Sequence, residues 1–262
     1  MELWRRREAE SPLLVDVPHA GTYVPSVLQS RFAPEALPLP DTDWHVDRLF
    51  AFAERMGAGL LAATHSRYVV DLNRDPEGLA LYPQAHNTEL VPLTRFDFQP
   101  IYQEGKAPDD AEVESRIETY WRPYHERLQA DINVVVQRFG YCILIDGHSI
   151  PHQVPRFFEG TLPDLNLGTD KGRSAAPSVI DTAWRILDDQ TAFSHVLDGR
   201  FTGGYITRHY GQPHRNVHAL QIEIVQNAYM DEANPSLFDE GRASGLTDIL
   251  KDMIAALLRL RP

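Results

Sequence analysis

The sequence predicts an α/β fold: a three-layer α/β/α sandwich on a mixed, mostly parallel sheet. Three observations carry that expectation. Four apolar runs, at 13–17, 69–72, 142–146 and 219–224, have the near-continuous Val, Ile and Leu character of strands buried on both faces. Longer stretches with apolar residues at three- and four-residue spacing lie between them, the pattern of amphipathic helices. The two kinds of segment alternate along the 262 residues, as they do in layered α/β proteins.

Taken in order, residues 13–18 read as the first strand. A loop with Pro25, Pro34, Pro38 and Pro40 follows and reaches Asp41-Thr42-Asp43. The apolar positions Val46, Leu49, Phe50, Phe52, Ala53 and Met56 then repeat as in a helix, which Gly57 and Gly59 end. Residues 60–63 and 67–72 make a short strand or hairpin region. From 75 to 108 the chain is irregular and punctuated by Pro76, Pro83, Pro92, Pro100 and Pro108; loops of that length in compact domains usually form lids or binding loops. A helix is expected over 110–138, with Ile117, Tyr120, Trp121, Tyr124, Leu128, Ile132 and Val135 on one face and a kink or division at Pro123. The strand at 141–146 leads into a second irregular section, 149–174. A helix at 177–189, a strand at 219–225 and a closing helix at 243–260 complete the chain. No internal repeat, low-complexity tract or long Gly/Ser linker interrupts it, and residues 1–262 read as one domain.

The apolar content of 43% and charged content of 24% are ordinary for a globular protein. The longest apolar runs fall short of the ~20 residues that span a bilayer. Residues 1–8 are basic without an apolar stretch behind them, unlike a secretory signal, so a cytoplasmic location is expected. The single cysteine, Cys142, excludes an internal disulfide framework and a Cys-rich zinc site; set among Ile and Leu, it reads as inert core. A net charge of −12 argues against nucleic acid and anionic membranes as partners. An anionic substrate would then need arginines focused in one cleft, for which Arg74, Arg173, Arg208 and Arg215 are candidates.

The chemistry-bearing residues sit at the ends of the apolar runs, where open α/β sheets bind ligands. His19 follows the first strand in Val17-Pro18-His19-Ala20-Gly21, and His148 follows another in Asp146-Gly147-His148-Ser149. Either histidine alone is more simply a hydrogen-bonded turn residue; two after separate strands suggest a metal pair, with Asp146 spaced to orient a ring. A catalytic metal needs a third protein ligand. Asp43-Trp44-His45-Val46-Asp47 is the obvious supplier, with Asp47 the first choice and Asp43 and His45 the competitors. Glu223, between Ile222 and Ile224, is a carboxylate on a buried strand and reads as a general base, with a core salt bridge as the plainer alternative. Asn73-Arg74 suits a substrate carboxylate, because the guanidinium fork matches it in a bidentate way. The Gly-bounded segment 203–211 offers Tyr205, Arg208 and His209 as further substrate contacts, with His214 and His218 nearby.

These stretches carry a family likeness. Val17-Pro18-His19-Ala20-Gly21-Thr22, Thr42-Asp43-Trp44-His45-Val46-Asp47, Val70-Asp71-Leu72-Asn73-Arg74, Asp146-Gly147-His148-Ser149, the segment from Gly203 to Gly211, and Gln221-Ile222-Glu223 occur in an order and spacing that resembles the N-formylglutamate amidohydrolases (deformylases) of bacterial histidine degradation. The resemblance implies hydrolysis of N-formyl-L-glutamate to L-glutamate and formate with one divalent metal, Zn2+ before Co2+ or another ion. It implies a small anionic N-acyl amino acid as the partner. A more distant similarity to zinc carboxypeptidases, aspartoacylases and cell-wall zinc amidases implies a zinc-exopeptidase-like sandwich. The chain departs from the carboxypeptidases in lacking His-x-x-Glu, since Thr22 stands three residues after His19, and that departure favours Asp47. On this reading His19, Asp47 and His148 hold the metal, Glu223 takes a proton from the attacking water, and Asn73, Arg74 and Arg208 hold carboxylates. The alternatives are a zinc amidase or exopeptidase acting on another N-acyl amino acid or peptide and, least favoured, a non-catalytic metal-binding protein.

Overall fold

The computed structural model describes residues 1–79 and 87–262. Its strands are β1 (Trp4–Arg7), β2 (Leu13–Val17), β3 (Gly59–Ala63), β4 (Cys142–Ile150), β5 (Leu165–Gly168), β6 (His195–Leu197) and β7 (Val217–Val225). They form one sheet in the order β1-β3-β2-β4-β7-β5-β6. The β1–β3 and β5–β7 pairs are antiparallel and the other four are parallel, so the sheet is mixed and mostly parallel. The helices are α1 (Ser26–Gln29), α2 (Val46–Leu49), α3 (Ala51–Arg55), α4 (Asp110–Arg116), α5 (Arg122–Phe139), α6 (Pro177–Asp188), α7 (Tyr205–Tyr210) and α8 (Glu240–Arg259).

Strand periodicity divides the core between two faces. Leu13, Val15, Val17, Ile143, Ile145, Leu220 and Ile222 pack against α2, α3, α6 and α8, with Val46, Phe50, Val179, Leu250 and Ile254 among the buried partners. Leu14, Cys142, Leu144 and Ala219 face the other way, against Tyr124, Leu128, Ile132 and Val135 of α5 and Ile206 and Tyr210 of α7. Helices therefore cover both faces, and the expected three-layer α/β/α architecture is present. Cys142 is fully buried, and burial pushes its thiol well up, as expected for inert core. No helix among the described residues is long and apolar enough to cross a membrane.

The apolar run at 69–72 is not a strand. The Asp71 carboxylate accepts the Asn73 amide (2.9 Å) and Ser66 accepts at both Oγ and carbonyl, from the Tyr68 and Val69 amides, so local side-chain bonds fold 66–74 into turns. The helix expected over 46–56 is divided between α2 and α3 at Phe50, whose backbone is bridge-like (φ −89°, ψ 0°). The long helix is divided next to Pro123, as expected: α4 gives way to a π-helical stretch, Ile117–Trp121, and α5 begins at Arg122 with Pro123 in its first turn. Segment 75–108 holds no helix or strand among its described residues, with Pro83 and the rest of 80–86 outside them, whereas 149–174 contains the end of β4 and all of β5. Residues 205–210, expected as loop, form α7.

Candidate active site

β4 and β7 share nine residues of parallel register, which sets Asp146 beside Gln221 and His148 beside Glu223 near their carboxyl ends. All four side chains lie on the α7 face, where alternation continues from Leu144 and Ala219. β2 stops at Val17, and two residues later His19 brings its ring centroid to 4.9 Å from that of His148. The turn that follows His19 needs glycine at 21, because a Cβ there would sit 2.3 Å from the His65 carbonyl oxygen.

The two imidazoles are arranged alike. His19 Nε2 lies 2.7 Å from Asp71 Oδ1, and His148 Nε2 lies 2.8 Å from Asp146 Oδ1. A carboxylate only accepts, so each Nε2 carries the hydrogen and, in the neutral ring, each Nδ1 presents a lone pair. Both Nδ1 atoms face one oxygen, Asp43 Oδ2, at 3.6 Å from His19 and 2.9 Å from His148. His19 Nδ1 is buried with no hydrogen-bond partner among the described residues. With both rings neutral, three acceptors would face one another; a proton on His148 Nδ1 or a cation among them relieves that repulsion, and the unpartnered His19 Nδ1 suits the cation. The ligand atoms fall within 4.8 Å of one another, and two histidines with one carboxylate match the donor set of a catalytic divalent metal. The residues therefore fit the metal that the sequence implies.

Asp43, not Asp47, completes this set. The loop that carries Asp43 is pinned from below: Gln226 Nε2 donates to the Thr42 carbonyl (2.9 Å), Tyr229 OH to the Trp44 carbonyl (2.6 Å), and Asp43 N to the His19 carbonyl (3.2 Å). Asp43 Oδ2 also accepts Ser149 N at 3.1 Å. Asp47 lies one helical turn further, in α2, and forms an ion pair with Arg5 of β1. His45, with a left-handed backbone (φ 61°), turns its ring away and contacts the Pro235 carbonyl at 2.9 Å.

Arg67 ties the two halves of the centre together. Its Nη1 donates to Asp43 Oδ1 (3.2 Å) and its Nη2 to Asp71 Oδ2 (2.7 Å). Burial alone would raise both carboxyls. His148 and His19 hold Asp43 below the usual range, and Arg74, His19 and Arg67 do the same for Asp71. Burial likewise opposes protonation of His148, but Asp146 and Asp43 outweigh it and lift the imidazole well above its ordinary value.

Glu223 is buried, and burial pushes its carboxyl up to about 8. A neighbouring cation is thus needed to keep it ionised at neutral pH. Its Oε2 accepts from Gln221 Nε2 (3.2 Å), while Gln221 Oε1 accepts the Gly204 amide (2.7 Å), which fixes the orientation of that side-chain amide.

His19, Asp43, His148 and Glu223 line one open cavity together with Asn73, Arg74, Arg67, Arg200, Phe96, Phe157 and Gln221. Asn73 and Arg74 are therefore at the site. Asn73 Oδ1 accepts the Ile206 amide (2.8 Å), and its Nδ2 lies beside His148 Nε2. A Cβ on Gly204 would fall 2.2 Å from that Nδ2, so the close seat of α7 on Asn73 requires glycine at 204. Arg74 is braced by the Thr88 carbonyl and hydroxyl (3.2 and 2.7 Å).

The other expected substrate contacts lie elsewhere. In α7, Ile206, Thr207 and Tyr210 are buried, so Tyr205, Arg208 and His209 fall on the opposite side of the helix, and none lines the cavity. Tyr205 stacks on His209 (4.9 Å) and packs on Trp121 (5.6 Å), while Arg208 pairs with Asp170 (3.6 Å). Thr207 instead donates to Asp146 Oδ2 at 2.8 Å. Sequence reasoning missed Arg67, Arg200, Asp71 and Gln221 as site residues. Only Asp71 and Gln221 carried a signal, as polar residues beside Asn73 and Glu223.

The chain is similar to known proteins over most of its length. A profile of the N-formylglutamate amidohydrolase family matches residues 11–230. The N-formylglutamate deformylase of Pseudomonas putida is 42% identical over 247 residues, covering 94% of this chain and 92% of that protein. The N-formylglutamate deformylase of Pseudomonas aeruginosa is 43% identical over the same coverage. The crystal structure of N-formylglutamate amidohydrolase from Ralstonia eutropha JMP134 superposes with a TM-score of 0.79 at 31% identity, over 99% of this chain and 97% of that one. A gene product of Agrobacterium tumefaciens shares the fold, at TM-score 0.71 and 18% identity over 98% and 96% of the chains. With the match spanning most of the sequence and nearly all of the fold, the chain belongs to the N-formylglutamate amidohydrolase family.

Proposed function

We propose that this protein hydrolyses N-formyl-L-glutamate to L-glutamate and formate, in a metal-dependent reaction that serves histidine degradation. The observation that carries the reading is the convergence of His19 Nδ1, His148 Nδ1 and Asp43 Oδ2 beside Glu223, in a cavity walled by arginines. His19, Asp43 and His148 would hold the ion, Zn2+ or Co2+. When bound, it supplies Lewis acidity, polarising the formyl oxygen and lowering the pKa of a water toward neutrality.

The protein's own groups do the rest. Asp71 and Asp146 lock the ring orientation and tautomer of His19 and His148. Glu223, aimed by Gln221, accepts the proton of the attacking water as its oxygen bonds to the formyl carbon. It then delivers that proton to the glutamate nitrogen as the C–N bond breaks. Arg67 puts positive charge at the wall beside Asp43, where negative charge develops on the formyl oxygen. Asn73 and Arg74 hold the α-carboxylate, which lies next to the scissile amide. Phe96 and Phe157 supply apolar wall, which limits water around the reacting groups.

Formate release by the metal-loaded protein tests the reading. N-formyl-L-glutamate should be turned over, with N-acetyl-L-glutamate slower by on the order of 10²-fold because the extra methyl must fit beside the metal ligands. Equal turnover of both would make the protein a general N-acyl amidase, and no formate with metal bound would remove the deformylase reading.

A further inference from the structure

We propose that Arg200 is the specificity-determining residue for the substrate's second, γ-carboxylate, and that it makes the cavity selective for dicarboxylic N-formyl amino acids. This inference rests on the deformylase reading above.

Three arginines line the cavity, and their surroundings differ. Arg67 is met by Asp43 and Asp71, and Arg74 Nη1 also lies 3.9 Å from Asp71 Oδ2. Arg200 sits in a different setting. Its Nε donates to the Phe157 carbonyl at 2.5 Å, and its guanidinium carbon lies 6.0 Å from the Phe157 ring centre and 5.2 Å from that of Phe201. Phe201 is itself anchored at both backbone groups by one side chain: Asn166 Nδ2 donates to its carbonyl (2.6 Å) and Asn166 Oδ1 accepts its amide (3.3 Å). Asn166 lies on β5, in register with Glu223 of β7. The mount of Arg200 is thus referenced to the strand that carries the proposed base.

A guanidinium held by a backbone carbonyl and aromatic faces is oriented before a ligand arrives, so little ordering cost remains on binding. Topology separates it from the first anchor: Arg74 stems from the chain after β3 and Arg200 from the chain after β6, on opposite sides of the β4–β7 pair. The two carboxylates of N-formylglutamate lie at opposite ends of its carbon chain, and one fork does not hold both. Arg208, the cation that the sequence suggested for this task, faces Asp170 instead.

The test compares N-formyl-L-glutamate with N-formyl-L-glutamine, which keeps the α-carboxylate and the shape but not the γ-charge. The metal-loaded wild type should favour the glutamate derivative by on the order of 10²-fold in kcat/KM. Arg200→Met should abolish that preference, chiefly through a raised KM for the glutamate derivative and with a much smaller effect on the glutamine derivative, while wild-type metal content and thermal unfolding report that the variant is folded. Arg200→Lys, retaining charge but not the fork, should fall between. Arg74→Met should depress both substrates together. A persisting preference in Arg200→Met, or an equal fall on both substrates, would overturn the assignment while formate release by the wild type upholds the deformylase reading. Failure of the wild type on both substrates would overturn both.

Discussion

Glu223→Gln is expected to lower kcat on N-formyl-L-glutamate by about 10³-fold while metal content stays at the wild-type level. The amide keeps the size of the carboxyl and its place beside Gln221, but it cannot take a proton from water. Glu223 lies beside His148 in the β4–β7 register without belonging to the group of converging ligand atoms, which is why metal and activity should part company. Folding should not suffer. A carboxyl that burial pushes up to about 8 is costly to keep charged, and glutamine removes that cost. Elemental analysis together with formate kinetics reads both quantities on the same preparation. Parallel loss of metal and turnover would make Glu223 a ligand, and a change of only a few-fold would move the base elsewhere.

The second large effect separates two aspartates four residues apart. Asp43→Asn should reduce metal affinity by on the order of 10²-fold or more and abolish turnover at limiting metal, since it removes the charged donor on which both Nδ1 atoms converge. Asp47→Asn should do neither. Its partner Arg5 is 62% exposed at the side chain, so breaking that pair costs about 0.2–1 kcal/mol of stability and nothing at the site. The measurement is a competitive metal titration on the two variants, with thermal unfolding as the control. Intact metal binding in Asp43→Asn, or its loss in Asp47→Asn, would reverse the assignment.

The buried centre of the sheet was legible because strands covered on both faces write themselves as continuous apolar runs. β2, β4 and β7 stood out, and with them His19, His148 and Glu223 at or near their ends. The choice between Asp43 and Asp47 was not legible. It depends on the path of a loop in which Leu39 and His45 both take positive φ, a conformation that Leu does not signal and that a single His signals only weakly. The run at 69–72 misled because its apolar residues are buried, yet the Asp71 carboxylate organises the backbone around itself. α7 was hidden by its glycines: Gly203 and Gly204 read as loop, while Gly204 in fact allows the helix to approach Asn73. β1 escaped notice because an edge strand with three arginines has no apolar alternation. Arg67 and Arg200 carried no sequence signal, since both come from irregular chain and only tertiary packing turns them to the cavity.

Stripping and restoring the metal tests the central claim most directly. Formate release from N-formyl-L-glutamate is followed in chelator-treated protein as Zn2+ or Co2+ is returned in known molar amounts. The account predicts that turnover disappears on stripping and returns in proportion to added metal until the His19–Asp43–His148 site is filled, in the wild type and not in Asp43→Asn. Undiminished formate release by protein that elemental analysis shows to be metal-free would contradict it.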